Sequence, residues 1–414
     1  MADRHPKASE NDDMTWNVRP LVAGDAEQSR QLGFEAFGMP VVPPSEPAAI
    51  DQPGCCGFGA FDGQTLVGRM IDREYDSYFG GVAVPTAGIA GVTVAVEHRG
   101  QGALDPLFAA TLAGAKARGA VISTLFPTAA RIYRKFGYEV IADFVSVQVP
   151  THALSQVATP TNARTRRAVA TDFDDIGRIY DSWAAAQNGP LTRHGVSFTA
   201  TPAEFLDDFD GVTVAIDGAG QLVGYVSWNR GQGYGDSAVT TVSDLLAVTA
   251  DAHRALLRAI GSNASVTPRT KIDSSVRDIT RLFLPWLDWK VVDASPYMLK
   301  ILDVVGALSP RLYPPSMRVE LSFQLAADFL TENIGSYALA VADGRAVCRR
   351  LDGEAAAGQK LATFTPQGLA LLYAGAQSAA NLRFAGHLSG GSLDHDRDWD
   401  ALFGGALPEV RDYF

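Results

Sequence analysis

Residues 92–104 read VTVAVEHRGQGAL. A β-branched run stops at a histidine and an arginine, two glycines follow, and a helical stretch begins at once. That order constrains the fold more than any other feature of the chain. A strand feeding directly into a helix belongs to a mixed α/β layer. The helix start it creates carries N–H groups without intrahelical partners. Gly100 and Gly102 lack a Cβ and permit close backbone approach, while Arg99 adds a planar, permanently charged donor. Convergent N–H groups of Arg99, Gly100, Gln101, Gly102, Ala103 and Leu104 would make an anion site whose natural ligand is a pyrophosphate. Read alone, the segment serves equally as a plain turn with an exposed arginine. It completes neither the dinucleotide GxGxxG pattern nor a Walker loop.

Elements alternate through residues 14–150. The spacing predicts a helix over Gly24–Phe37 with Asp25 near its start, and a hairpin turning at Asp62-Gly63. A strand region in VPTAGIAGVTVAV follows, then a helix from Asp105 that ends at Gly119. VISTLF reads as a short buried strand, PTAARIYRKFGYE as a short helix stopping at Gly137, and DFVSVQVP as an alternating strand. Residues 151–163 read as a linker by composition. The order then repeats over residues 164–300, with a hairpin about Asp217-Gly218 and a strand and helix in VSDLLAVTADAHRALLRAIG. Repetition on that scale predicts a duplicated domain and not a solenoid. From residue 301 the pattern changes to strands about Asp343-Gly344 and a helix in TFTPQGLALLYAGAQSAANLRFAG.

Composition narrows the function classes. At about 100–200 residues per domain, 414 residues predict two to four domains. A 47% hydrophobic and 20% charged chain is globular. Its net charge of −11 lacks the basic face of a nucleic-acid binder. The charge would steer a cationic substrate, with solubility as the simpler cause. No apolar run approaches the roughly 18 residues of a membrane span. Cys55, Cys56 and Cys348 form neither a zinc pattern nor a disulfide framework, which points to a reducing, cytoplasmic setting. The seven histidines are scattered and no metal is expected. Residues 1–13 read as a mobile polar tail without the apolar core of a secretory signal.

Beyond the loop stands Ile132-Tyr133-Arg134-Lys135-Phe136-Gly137-Tyr138. Together the two segments resemble the GNAT superfamily of acetyl-coenzyme A-dependent N-acetyltransferases. That superfamily carries an Arg/Gln-x-x-Gly-x-Gly/Ala loop after its fourth strand and a Tyr followed by Phe-Gly-Tyr after its fifth. Here the loop ends in Leu104, a mild departure. The wider layout resembles the Eis (enhanced intracellular survival) branch. His98 precedes Arg99, the middle segment contains TADAHRALLRAI, and the chain ends in the aromatic Phe414. The resemblance covers nearly everything beyond residue 13. It implies an α/β (α+β) chain of tandem GNAT folds, each with a mixed central sheet and splayed strands. Residues 14–150 would be catalytic and 164–300 a degenerate GNAT domain, with a sterol-carrier-protein-like domain at 301–414.

The resemblance also implies roles. Backbone groups of Val92 and Val94 would line the strand splay against the pantetheine and acetyl groups of acetyl-CoA; their side chains read as strand core. Tyr133 would be the general acid that protonates the departing thiolate, since a phenol of pKa about 10 keeps its proton at neutral pH. Aromatic packing on a short helix is the plainer reading. Thr128 is one candidate to hydrogen-bond the cofactor. The carboxylate of Phe414 would be the general base, against the ordinary expectation of a frayed terminus. Tyr138 and Phe136 read as structural, and neither His98 nor His253 is assigned catalysis. Near His253 the stretch lacks glycine, and Ala252, Ala255 and Leu256 would obstruct a pyrophosphate, so the second domain is expected to bind no coenzyme A. Gly91 would leave room beside the splay. Glu35, Asp412 and the loop 39–53 are guesses for the wall of an acidic acceptor pocket, and Tyr413 gives the penultimate position no charge. Expected acceptors are primary amines of aminoglycosides, polyamines or lysine side chains, attacked without an acyl-enzyme. A homohexamer is also implied. The rival reading is a non-enzymatic coenzyme A sensor or lipid-binding protein built on the last domain.

Overall fold

The internal duplication shows in one local motif. Arg19 grips Asp25 through hydrogen bonds of 2.7 and 2.9 Å, and the Val22 N–H donates to the same carboxylate. Arg166 grips Asp172 at 2.6 and 2.8 Å, and the Val169 N–H donates likewise. Each aspartate closes a strand-to-helix turn by accepting from a guanidinium and from a backbone N–H at the helix entrance. The arginine hydrogen bond holds both carboxyls below their usual range.

The protein is seen in a computed structural model that describes residues 16–38, 50, 52–235, 237–275, 278–284, 288–352 and 361–414. The expected tail 1–13 and most of the loop 39–53 lie outside the described residues. Contacts divide the chain into two compact units, residues 1–73 with 89–118 and residues 74–88 with 119–414.

In the first unit, β1 (Asn17–Pro20) pairs antiparallel with β2 (Cys55–Asp62), and β2 with the first part of β3 (Thr65–Phe79), whose residues 74–79 belong to the second unit. β4 (Val82–Val94) comes next in the order. The hairpin turns at Asp62-Gly63, with Gly63 at φ 57°. Helix α1 (Ala26–Phe37) buries Leu32 with Phe61 and Leu66. Helix α2 (Leu104–Ala117) buries Leu107, Phe108, Leu112 and Ala115 at helical spacing.

In the second unit the order runs β5 (Ile122–Leu125), β12 (Lys290–Ile301), β6 (Glu139–Pro150), β11 (Arg269–Ser274), β10 (Val239–Ala247), β9 (Leu222–Asn229), β8 (Gly211–Ile216), β7 (Arg164–Arg167). Only β10–β11 is parallel among the registers described for this run. β12 is the unexpected member. It pairs antiparallel with β5 on one edge and β6 on the other, as in Leu299 opposite both Thr124 and Glu139. Helices α3 (Ala130–Arg134), α4 (Thr151–Ser155), α5 (Phe173–Ala184), α6 (Pro202–Asp207) and α7 (Ala250–Gly261) belong to this unit. The segment 151–163 begins as a helix and not as a plain linker, because Leu154 and Val157 are buried beside Leu256, Leu257 and Ile260 of α7.

The last region forms its own sheet, ordered β15 (Arg345–Leu351), β14 (Gly335–Ala342), β13 (Val319–Leu325), β16 (Ala362–Phe364), β17 (Leu388–Gly390). The helix expected after residue 362 is two helices, Pro366–Ala374 and Ala379–Phe384. The first is stopped by Gly375 in a left-handed cap. Trp399, Phe403, Phe323 and Phe364 pack ring on ring in its core.

Candidate active site

Strand β4 ends at Val94, where the chain turns through Val96–His98 into α2. Arg99 folds back, its Nε donating to the Val94 carbonyl at 3.1 Å. Gln101 ties the loop twice, through Nε2 to the Glu97 carbonyl at 2.9 Å and by accepting the Trp16 indole N–H at 3.0 Å. Ala103 is buried beside Trp16 and Val18. Gly100 and Gly102 adopt φ 79° and 82°, and a Cβ on either would meet nothing within 4 Å. The two glycines are therefore required by conformation, and the space above them is open. No side chain caps α2, so its first N–H groups face outward as an anion cradle. Asp105 in the first turn is the one acid there. Val92 and Val94 are half-buried on β4. The residues fit a pyrophosphate, and the structure brings Val92, Val94 and Arg99–Leu104 together in one unit.

Tyr133 lies in the other unit, buried on α3, with its ring edge-on to Tyr138. Desolvation raises its phenol above the ordinary value, and a hydrogen bond with the Thr128 side chain partly offsets this. Such a group holds its proton at neutral pH. Thr128 and Tyr133 are thus joined directly. Tyr138 is buried, its hydroxyl 2.7 Å from Ser123 Oγ. Phe136 packs edge-on against Phe329. Both are structural, as their sequence positions implied.

The C-terminal tail is locked in place. The Glu409 N–H donates to the Asn188 carbonyl at 2.8 Å. Arg411 lies over the Trp183 ring and bonds the Asp273 carbonyl and Asp278. Arg193 donates to Asp412 at 2.9 Å and to Asp244 at 2.5 and 3.3 Å. Burial raises the Asp412 carboxyl, and Arg193 only partly offsets it. Burial also pushes Asp244 up, but Arg193 more than compensates and leaves it below the usual range. Past this latch the Phe414 ring enters an aromatic seat. Its centroid is 5.0 Å from Tyr75, 5.5 Å from Phe126 and 6.3 Å from Tyr297. Gly88 leaves the room, since a Cβ there would stand 2.6 Å from Tyr75 and 3.0 Å from Phe414. Tyr413 is exposed, its ring 4.3 Å from Phe126.

Acetyltransferase (GNAT) domain models match residues 17–141 and 189–301, and a sterol carrier protein domain model matches 304–409. The N-acetyltransferase Eis of Mycobacterium tuberculosis is 28% identical over 365 residues, 84% of this chain and 86% of that protein. The chain belongs to the GNAT N-acetyltransferases and is similar to Eis over most of its length. An uncharacterized N-acetyltransferase of Streptomyces avermitilis is 27% identical over 357 residues, 80% of this chain and 81% of that protein. The solved GCN5-related N-acetyltransferase from Kribbella flavida is similar at TM-score 0.81 and 26% identity, covering 98% of this chain and all of that one. Eis1 from Mycobacterium abscessus shares the fold at TM-score 0.73 and 20% identity, covering 97% of this chain and 100% of that one. Membership makes the protein an acyltransferase with two GNAT folds and a sterol-carrier domain, and GNAT acetyltransferases use acetyl-CoA. No helix among the described residues is long and apolar enough to cross a membrane.

Both candidate wall acids have partners. Arg193 and the Tyr180 hydroxyl engage Asp412. Glu35 is exposed on α1 and accepts from Gln31 at 2.9 Å. His253 is buried, bonded to Thr280 at 3.1 Å, and its pKa is lowered to about 4 by desolvation, as befits a core residue. The buried Cys348 thiol is pushed up to about 12 by desolvation and is no nucleophile. Sequence reasoning missed Tyr75, Phe126, Tyr297 and Arg193. The first three carry no motif. Arg193 had one faint signal, its place in the turn GPLTRHG, where it adopts φ 56°.

Proposed function

We propose that the chain transfers acetyl from acetyl-CoA to a primary amine of an aminoglycoside, a polyamine or a lysine side chain, by direct attack on the thioester. The Arg99–Leu104 loop holds the pyrophosphate, Val92 and Val94 align the pantetheine and acetyl groups, and Thr128 orients Tyr133. Tyr133 returns a proton to the departing sulfur, and the Phe414 carboxylate accepts one from the amine. The observation that carries this reading is the seat of Phe414: a latched tail and three aromatic neighbours hold a terminus that would otherwise fray. A base must be placed before its pKa matters.

The same reading includes residues 14–150 as the catalytic domain, 164–300 as a coenzyme A-free GNAT domain, and a homohexamer in the cytoplasm. The lipid-binding alternative has less support. Trp399, Phe403, Phe323 and Phe364, all at most 1% exposed, fill the apolar face where such a ligand would lie.

The test is release of coenzyme A thiol across a panel of aminoglycosides, polyamines and lysine peptides, for the wild type, Tyr133→Phe and a chain lacking Phe414. Turnover falling by roughly 10²- to 10⁴-fold in both variants supports both roles. Loss in Tyr133→Phe alone removes the terminal base. No turnover with any amine, despite acetyl-CoA binding, sinks the acceptor classes named.

A further inference from the structure

One buried cation in the first unit has no use in the chemistry above. Arg69 projects from β3 and is 8% exposed. Its Nη1 donates to the Ser29 hydroxyl at 2.7 Å, and its buried Nε has no hydrogen-bond partner. Among the described residues no carboxylate pairs with it.

Two other inward-turned arginines are matched by carboxylates. Arg193 meets Asp244 and Asp412, and Arg411 meets Asp278 and Glu409. Arg311 lacks a carboxylate, but it donates to the Tyr373 carbonyl at 2.5 Å and lies over the rings of Tyr313, Tyr373 and Phe403. Arg69 has a single neutral hydroxyl. Burial of an unpaired charge is strongly unfavourable. Desolvation lowers the Arg69 pKa with nothing to offset it, yet a guanidinium remains charged at neutral pH.

Two glycines flank this group closely, and the guanidinium itself fills the space above the first. A Cβ on Gly33 of α1 would overlap the guanidinium. Gly91 on β4, at φ 58°, would place a Cβ 3.7 Å from Nη2. Two positions without side chains therefore flank it, and the second adjoins Val92, where the acetyl group is proposed to lie. With Nη1 on Ser29, the Nε–Nη2 edge remains, and that edge is the fork that matches an oxyanion in two parallel hydrogen bonds.

We propose that Arg69 anchors the acceptor: the amine substrate carries an oxyanion, a carboxylate or a phosphate, which docks on the Nε–Nη2 edge on the side of Gly91. The inference rests on the acetyl-transfer reading. It places amino-acid-like or phosphorylated amines above purely cationic ones. The −11 net charge would then steer the amine end, while Arg69 selects its partner group.

Matched acceptor pairs test this: lysine against cadaverine for the carboxylate, and phosphoethanolamine against ethanolamine for the phosphate. The wild type should favour the oxyanion-bearing member of one pair by roughly 10- to 100-fold in kcat/KM, mostly through KM. The pair that shows the preference names the group. Arg69→Met should bring that ratio near one, and Arg69→Lys should restore part of it. A wild type with no preference in either pair overturns the anchor and needs no variant. A preference that survives Arg69→Met overturns it too. Calorimetric titration of the preferred amine into the protein with coenzyme A separates the two readings. Binding that depends on Arg69 without any turnover keeps the anchor and removes acetyl transfer. Turnover without discrimination removes the anchor alone.

Discussion

The two GNAT halves place a strand-to-helix turn at equivalent points and treat it in opposite ways. At residues 94–104, Gly100 and Gly102 take left-handed conformations and no side chain caps the helix. At residues 247–252, Thr249 caps α7 by accepting from the Ala252 N–H at 3.1 Å, and Ala252, Ala255 and Leu256 fill the core. Even Asp251 is engaged, by the N–H groups of Thr161 and Asn162. The inward arginines follow the same division, since Arg193 is matched by carboxylates and Arg69 is not. At this turn one half leaves donors open and the other satisfies them. Unsatisfied polar groups that survive in a folded chain point to what binds there.

The difference can be broken from either side. The largest effect is expected for Arg193→Met, which strands the buried Asp244 and loosens the tail. Urea unfolding should show a loss of about 3 kcal/mol or more. Arg69→Met strands no carboxylate, so its stability should be unchanged or raised; an equal loss in both variants would remove the contrast.

His253 should add a pH signature to the satisfied half. Its folded pKa of about 4 lies below the ordinary value of 6.5, so the fold prefers the neutral ring. Its contribution is complete above pH 6.5 and declines as pH falls toward 4, by roughly 3 kcal/mol in all. His253→Leu should flatten that part of the stability profile. Gly102→Val should weaken acetyl-CoA binding by about 100-fold or more, because a β-branched residue at φ 82° is strained and its side chain fills the cradle. Isothermal titration measures it. The smallest effect is Thr249→Gly, a cap loss of a few tenths of a kcal/mol in thermal unfolding. It should create no second coenzyme A site, since the core side chains of α7 remain.

Much of this was legible in the residues. The hairpins at Asp62-Gly63, Asp217-Gly218 and Asp343-Gly344 announce themselves by turn chemistry that is local to a few residues. The loop at Arg99–Leu104 did the same, and so did its absence near His253. What stayed hidden depends on partners distant in sequence. The Arg193–Asp412 contact joins residues 219 positions apart, and no local pattern marks either one. The aromatic seat of Phe414 draws Tyr75, Phe126 and Tyr297 from three separate strands or loops. Arg69 sat in an ordinary strand pattern, and nothing local to it signals that no carboxylate among the described residues pairs with it.

The placement of β12 bears on how the molecule can be made. Leu299 pairs on one side with Thr124 and on the other with Glu139, so the strands β5 and β6 cannot join into their final sheet until residues 290–301 have left the ribosome. The acetyltransferase segment at residues 17–141 is then no free-standing cassette. Expressed alone, it would leave unpaired the β5 edge and the three β6 residues it contains, which invites aggregation. Synthesis of the intact chain must hold them open until a late, long-range pairing closes the gap, a high-contact-order step that favours slow folding. Recombination that exchanged the first domain without the second would meet the same obstacle, which gives this lineage a physical reason to inherit its parts as one piece.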